Sequence, residues 1–189
     1  MDKFVKTLYQ SKNTVFNTKD LTLVWRITDA VKLKNRIAYC IKSGYLLRLT
    51  RGVFAKNKEY SSKELATSLY TPSYISFETV LREAGMIFQY YETIYLAGPW
   101  SKTVSIGKNT FTFRKIKDRV LYNPSGIIND GNTSQATPER AFLDTLYVSP
   151  RYYFDNIRPI NWEVCFELVK IYNNQQLVKR LKKLYDNIQ

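Results

Sequence analysis

The sequence predicts an α+β chain of two modules, a small helical one closed by a β-hairpin and a larger mixed one. Three observations carry this. Basic charge is concentrated at one end: residues 1–60 hold 13 Lys/Arg against 4 Asp/Glu, a net +9 of the chain's +13, while residues 61–189 hold 16 against 12. Helix-start signals and short aromatic or β-branched runs alternate along the chain, punctuated by turn residues. A polar stretch, Asn57–Ser62, interrupts the pattern and reads as a linker, giving a first domain over 1–58 and a second over 61–189.

In the first domain, residues 2–10 read as a short helix turning Phe4, Val5 and Leu8 toward a core. Asn17 and Asp20 have capping-box spacing ahead of Leu21, Leu23, Val24 and Trp25, which predicts a second helix of about two turns. Thr28 stands where a third helix, Asp29–Ser43, needs its cap, and Gly44 where it needs its end. At about 100° per residue, Ala30, Leu33, Ile37, Cys40 and Ile41 share one face of that helix. Asn35, Tyr39, Lys42 and Lys32 fall opposite, with Arg36 and Lys34 on the flanks. Tyr45–Leu49 and Val53–Lys56 are strand-like runs about Thr50-Arg51-Gly52, where the glycine tolerates the positive φ of a tight turn.

Three helices and then a two-stranded hairpin is the order of a winged helix-turn-helix, in which the third helix enters the major groove and the hairpin lies against the backbone. Asn pairs bidentately with adenine and Arg with guanine. Asn35 and Arg36 are therefore the candidate base readers, followed by Lys32. Tyr39, Arg48, Arg51 and Lys56 suit phosphate contacts that fix register, and Lys34 on the helix flank completes the candidate DNA-binding set.

In the second domain, Ser61 and Glu64 have capping-box spacing and open a helix to about Tyr70, stopped by Thr71-Pro72. Ser76 precedes a helix, Phe77–Glu83, with Phe77, Val80, Leu81 and Ala84 on one face and Gly85 near its end. Tyr90–Ala97, Thr103–Ile106 and Thr110–Ile116 read as strands, the last two joined by a turn at Gly107-Lys108-Asn109. Val120–Tyr122 and Gly126–Ile128 read as further short strands. Thr137-Pro138-Glu139 is a helix start, with a capping Thr, Pro at the first position and an acid in the first turn. That helix runs through Ala141, Phe142, Leu143, Leu146 and Tyr147 to Ser149-Pro150. Asn161 caps a helix that buries Val164, Phe166, Leu168, Val169 and Tyr172. A last basic helix, residues 175–185, turns Leu177, Leu181, Leu184 and Ile188 inward and Lys179, Arg180, Lys182 and Lys183 outward.

Composition excludes much chemistry. There is no histidine, hence no Ser-His-Asp or Cys-His system and no imidazole metal ligand. Cys40 and Cys165 are too far apart in sequence for a Cys-x-x-Cys motif, and the glycine-rich nucleotide cradles are missing. The carboxylates are scattered: Glu139 and Asp144 are five apart and share a helical face poorly, while Glu163 and Glu167 share one but suit a solvated pair. No catalytic residue, metal or cofactor is expected. The opening Met1–Lys6 has no apolar segment of a secretory leader, no run approaches the roughly 18 apolar residues of a membrane span, and unpaired thiols suit a reducing compartment. The expected location is cytoplasmic, with no membrane partner.

The run Ser43-Gly44-Tyr45-Leu46-Leu47-Arg48-Leu49-Thr50-Arg51-Gly52-Val53-Phe54-Ala55 resembles a signature segment of the AbiEi-like antitoxins. Tyr74-Ile75-Ser76-Phe77-Glu78-Thr79-Val80-Leu81 followed by Gly85-Met86-Ile87 is similar to a second, and Ala136-Thr137-Pro138-Glu139-Arg140-Ala141-Phe142-Leu143-Asp144 to a third. The three segments stand in the family's order, and the resemblance covers about Leu21 to Tyr147. Phe54 stands where the family usually has Tyr, and Val80 where it has Ala. The resemblance implies a type IV toxin–antitoxin, abortive-infection role. It implies a winged helix that represses its own promoter at inverted repeats in double-stranded DNA, and a C-terminal antitoxin domain that counters a cognate nucleotidyltransferase toxin without a stable complex. The alternative from the residues alone is a stand-alone winged-helix regulator whose second domain binds a ligand or dimerises.

Overall fold

A computed structural model of the chain describes residues 2–90 and 92–187, a mixed α+β fold with two sheets. Over the described residues it divides into two units, Met1–Tyr70 with Ile106–Lys108, and Thr71–Ser105 with Asn109–Gln189.

The first unit opens with α1 (Lys3–Gln10), capped by Asp2, whose carboxylate accepts the Phe4 N–H. Val5 and Leu8 are fully buried on its inner face. β1 (Val15–Asn17) follows, then α2 (Thr18–Trp25), where both halves of the Asn17–Asp20 capping box form. The third helix, α3 (Ala30–Lys42), is capped one residue later than Thr28: Asp29 accepts the Lys32 N–H at 2.8 Å. A carboxylate at that position also favours the positive end of the helix dipole. After Gly44, at φ +75°, come β2 (Leu47–Thr50) and β3 (Val53–Ala55), paired antiparallel. β1 pairs antiparallel on the other side of β3, with Phe16 opposite Phe54. The core joins Val5, Leu8, Phe16, Leu21, Trp25, Leu33, Ile37, Cys40, Leu46 and Phe54.

α4 (Ser62–Leu69) belongs to this first unit, so the division of the chain falls at Tyr70, beyond the polar stretch expected to be the linker. The reason is Glu64. Ser61 caps the helix, accepting the Glu64 N–H, but the Glu64 carboxylate does not return to Ser61. Its Oε2 accepts the N–H of Thr14 at 2.6 Å, the N–H of Val15 at 2.9 Å and the Thr14 hydroxyl at 3.0 Å, which fastens α4 to β1. The Ser61 N–H goes to the Thr14 hydroxyl instead, at 2.9 Å.

The second unit contains β4 (Tyr74–Ile75), α5 (Phe77–Glu83), β5 (Ile94–Gly98), β6 (Lys102–Ile106) up to Ser105, β7 (Asn109–Lys115), α6 (Asp118–Leu121), β8 (Ile127–Asn129), β9 (Ser134–Ala136), α7 (Pro138–Val148), α8 (Trp162–Leu168), a 3-10 turn (Val169–Tyr172) and α9 (Gln175–Asp186). Its sheet has the order β6-β7-β5-β4-β9-β8. β5 runs parallel to β7 and antiparallel to β4, and β4 runs parallel to β9. α5 and α7 pack on one another.

The structure departs from expectation at four places, the first of them Val164 on α8, which is exposed rather than buried. The strand expected from Tyr90 begins at Ile94, and Tyr91 lies outside the described residues. Val120–Tyr122 is not a strand: the Lys117 carbonyl accepts the N–H of both Val120 and Leu121 at 2.9 Å, closing a helical turn that buries both side chains. On α9, Leu177 and Leu181 are buried as expected, whereas Arg180 is half-buried and donates to the Leu146 carbonyl. Ile188 lies outside the described residues.

Candidate nucleic-acid interface

α3 is held by Leu33, Ile37 and Cys40, all buried, and offers three outward strips. Val31, Asn35, Ala38 and Lys42, all exposed, form the crest opposite the core. Ala30 and Lys34 lie on the flank toward the hairpin. Lys32, Arg36 and Tyr39 lie on the flank toward α1.

Each flank borders a hollow. On the hairpin side a cleft of about 690 Å³ is lined by Ala30, Lys34, Ala38, Arg48, Arg51 and Phe54, among others. On the α1 side a hollow of about 480 Å³ is lined by Phe4, Ile27, Lys32, Asn35, Arg36 and Tyr39. No carboxylate lines either one. The candidate set is therefore not one patch: Lys34, Arg48 and Arg51 share the first cleft, and Lys32, Asn35, Arg36 and Tyr39 share the second.

The hairpin is positioned by its turn. Gly52 sits at φ +77°, and its carbonyl accepts the Thr18 N–H at 3.0 Å, tying the turn to the start of α2. This leaves Arg51 exposed at the tip. Arg48 is exposed on β2, its guanidinium 5.8 Å from the Phe54 ring centre. Among the described residues no ion pair engages Lys32, Lys34, Arg48 or Arg51. Their charge is uncompensated by a contacting carboxylate.

Two candidates have other commitments. The Arg36 guanidinium donates to the Asp2 carboxylate and lies 4.3 Å from the Phe4 ring centre, with Tyr39 at 5.6 Å. It ties α3 to α1. The Lys56 ammonium donates to the Ser11 carbonyl and sits 5.6 Å from the Phe16 ring centre. Burial pulls its pKa below the ordinary lysine value, with Glu64 acting against that shift. Sequence reading did not single out Val31 and Ala38; the same angular projection that found Asn35 places them beside it.

The second unit is built differently. Arg140, Asp144, Tyr74, Ser76 and Tyr172 form a buried hydrogen-bonded cluster whose donors and acceptors meet one another or the backbone. The Arg114 guanidinium donates to the Glu78 carboxylate at 2.8 Å, leaving Glu78 Oε2 and Arg114 Nη1 buried without partners. Glu139 accepts the Asn161 N–H, and the exposed Glu167 pairs with Lys170 rather than with Glu163. Among the described residues no group of three or more His, Cys, Asp or Glu could hold a metal ion, and no helix is long and apolar enough to cross a membrane. No protein-family model matches the chain, and no curated protein matches it.

Proposed function

We propose that the chain is a cytoplasmic, non-enzymatic DNA-binding autorepressor whose first unit is a winged helix-turn-helix, with α3 in the major groove and the β2–β3 hairpin on the backbone. The observation that carries this reading is the uncompensated cation set Lys32, Lys34, Arg48 and Arg51 around the exposed crest of α3, with no carboxylate in either adjoining hollow. Such a surface attracts polyanions, and a helix crest flanked by cations fits a groove bounded by phosphates. Fluorescence anisotropy on the DNA upstream of its own gene tests it. Preference for that duplex over a scrambled one at near-physiological salt is expected; equal affinity overturns sequence-specific repression.

The antitoxin role rests on the three ordered segments that resemble the AbiEi-like family. On that reading the partner is the product of an adjacent nucleotidyltransferase gene, countered without a stable complex. Co-expression with that neighbour tests it: restored growth supports the role, and unrelieved toxicity refutes it.

A further inference from the structure

Resting on the DNA-binding reading above, we propose that the crest of α3 reads thymine methyl groups beside an adenine, so that the recognised half-site contains adjacent A·T pairs. The crest is unusual for a basic helix. Its cations lie mostly on the flanks, whereas its central line is Val31, Asn35 and Ala38, spaced four and three residues apart and all exposed. Val31 is 67% exposed, opposite the core residues Leu33, Ile37 and Cys40. So exposed a side chain gains little from burial, and a β-branched residue there is also a poorer helix former than the neighbouring lysines.

The chemistry of the three side chains is complementary to one kind of base step. In the major groove adenine offers an acceptor and a donor that an Asn amide matches bidentately, and thymine alone among the DNA bases offers a methyl group to apolar side chains. Residues three and four apart on one helix face are neighbours, so the Val31 and Ala38 methyls bracket the Asn35 amide along the groove. Arg36, the one guanidinium on this helix, is turned away to Asp2 and Phe4. The guanine-reading group is thus withdrawn, and an adenine-reading amide with two apolar neighbours remains. Lys34 and Lys32 flank this line on opposite sides, toward the two strands' phosphates.

The test is selection from a random duplex library with the full chain, followed by affinity measurements on the enriched duplex with each thymine replaced in turn by deoxyuridine. Enriched half-sites containing A·T pairs are expected, with a loss of about fourfold at one or two positions, the worth of one buried methyl group. V31A should abolish the thymine–deoxyuridine difference at one of those positions while leaving circular dichroism and Tm at wild-type values. Enriched sites read only through G·C pairs, or affinities indifferent to the methyl group, overturn this inference and leave DNA binding standing. Failure to enrich or bind any duplex overturns the DNA-binding reading and this inference with it.

Discussion

Arg140 and Asp144 stand one turn apart on α7, both side chains wholly shielded from solvent, with Nε and Oδ1 3.3 Å apart. The remaining guanidinium donors reach the Ser125 carbonyl at 2.6 Å, the Val120 carbonyl at 2.7 Å and the Tyr74 hydroxyl at 2.9 Å. Asp144 accepts from Tyr74, Ser76 and Tyr172 at 3.0, 2.8 and 2.6 Å. One ion pair thereby joins α7 to β4, α6 and the 3-10 turn. Burial pushes the Asp144 carboxyl above its ordinary range, against the guanidinium and hydroxyls that pull it down.

Removing one partner leaves an unpaired buried charge. R140M or D144L alone should cost about 3–5 kcal/mol of stability, while the double variant should cost less than the two losses added together. Urea unfolding followed by the signal of the second unit's tryptophans measures this. Additive losses would show that the two charges are not coupled.

Glu64 does a comparable task in the first unit with one carboxylate oxygen. E64Q keeps the shape but loses a charge-assisted acceptor for two backbone N–H groups, one of them buried, and should cost about 2 kcal/mol. The expected signature in hydrogen exchange is faster exchange at Thr14 and Val15, with α7 unaffected. Unchanged protection at those amides would mean that the neutral glutamine carbonyl oxygen replaces the carboxylate without penalty.

Local signals were legible in the sequence, and long-range ones were not. The Asn17–Asp20 box, the end of α3 at Gly44, the turn at Gly52 and the Thr137-Pro138 start of α7 each depend on a few adjacent residues, and the structure has them in place. β1 is only three residues long and exists because Phe16 meets Phe54, a partner 38 positions away. The Ser61–Glu64 spacing does mark a helix start, but the carboxylate is claimed by Thr14 and Val15, 50 and 49 positions away in sequence. In the candidate site, the outward face of α3 was legible from periodicity. The loss of Arg36 to Asp2 depends on α1 lying against it, which the spacing of one helix does not encode.

That commitment separates two neighbours that look equivalent in sequence. R36A should lower the stability of the first unit by about 1 kcal/mol, since its ion pair is partly exposed and its ring contact is modest. It should leave sequence preference unchanged. N35A should relax preference with little effect on stability, and R48A or R51A should weaken all duplexes alike and reduce the salt slope by about one. Anisotropy titrations across salt concentrations, paired with thermal melts, distinguish these. A change of sequence preference in R36A would return Arg36 to the base-reading set.

The buried thiols should make stability fall in alkali. Cys165 has no exposure, and burial, reinforced by Glu139, pushes its pKa far above the ordinary 9.0. Burial raises Cys40 as well, with Arg36 acting against the shift, and Tyr74 and Tyr172 are held well above 10 mainly by burial. For groups raised in the folded state, the stability is full below the unfolded pKa and is lost as pH rises from there toward the folded value. The thiols therefore act first, from about pH 9, and each costs up to about 1.4 kcal/mol per further pH unit. Lysine deprotonation at the same pH relieves the repulsion of a chain at +13 and opposes this loss. C165A isolates the thiol: between pH 8 and pH 10 it should lose about 1 kcal/mol less than the wild type in urea unfolding. In parallel, a thiol-specific chromogenic disulfide at pH 8 should label neither cysteine in the native protein and both in denaturant. Equal alkaline losses in wild type and C165A, or rapid native labelling at Cys165 itself, would show that Cys165 ionises in the folded chain.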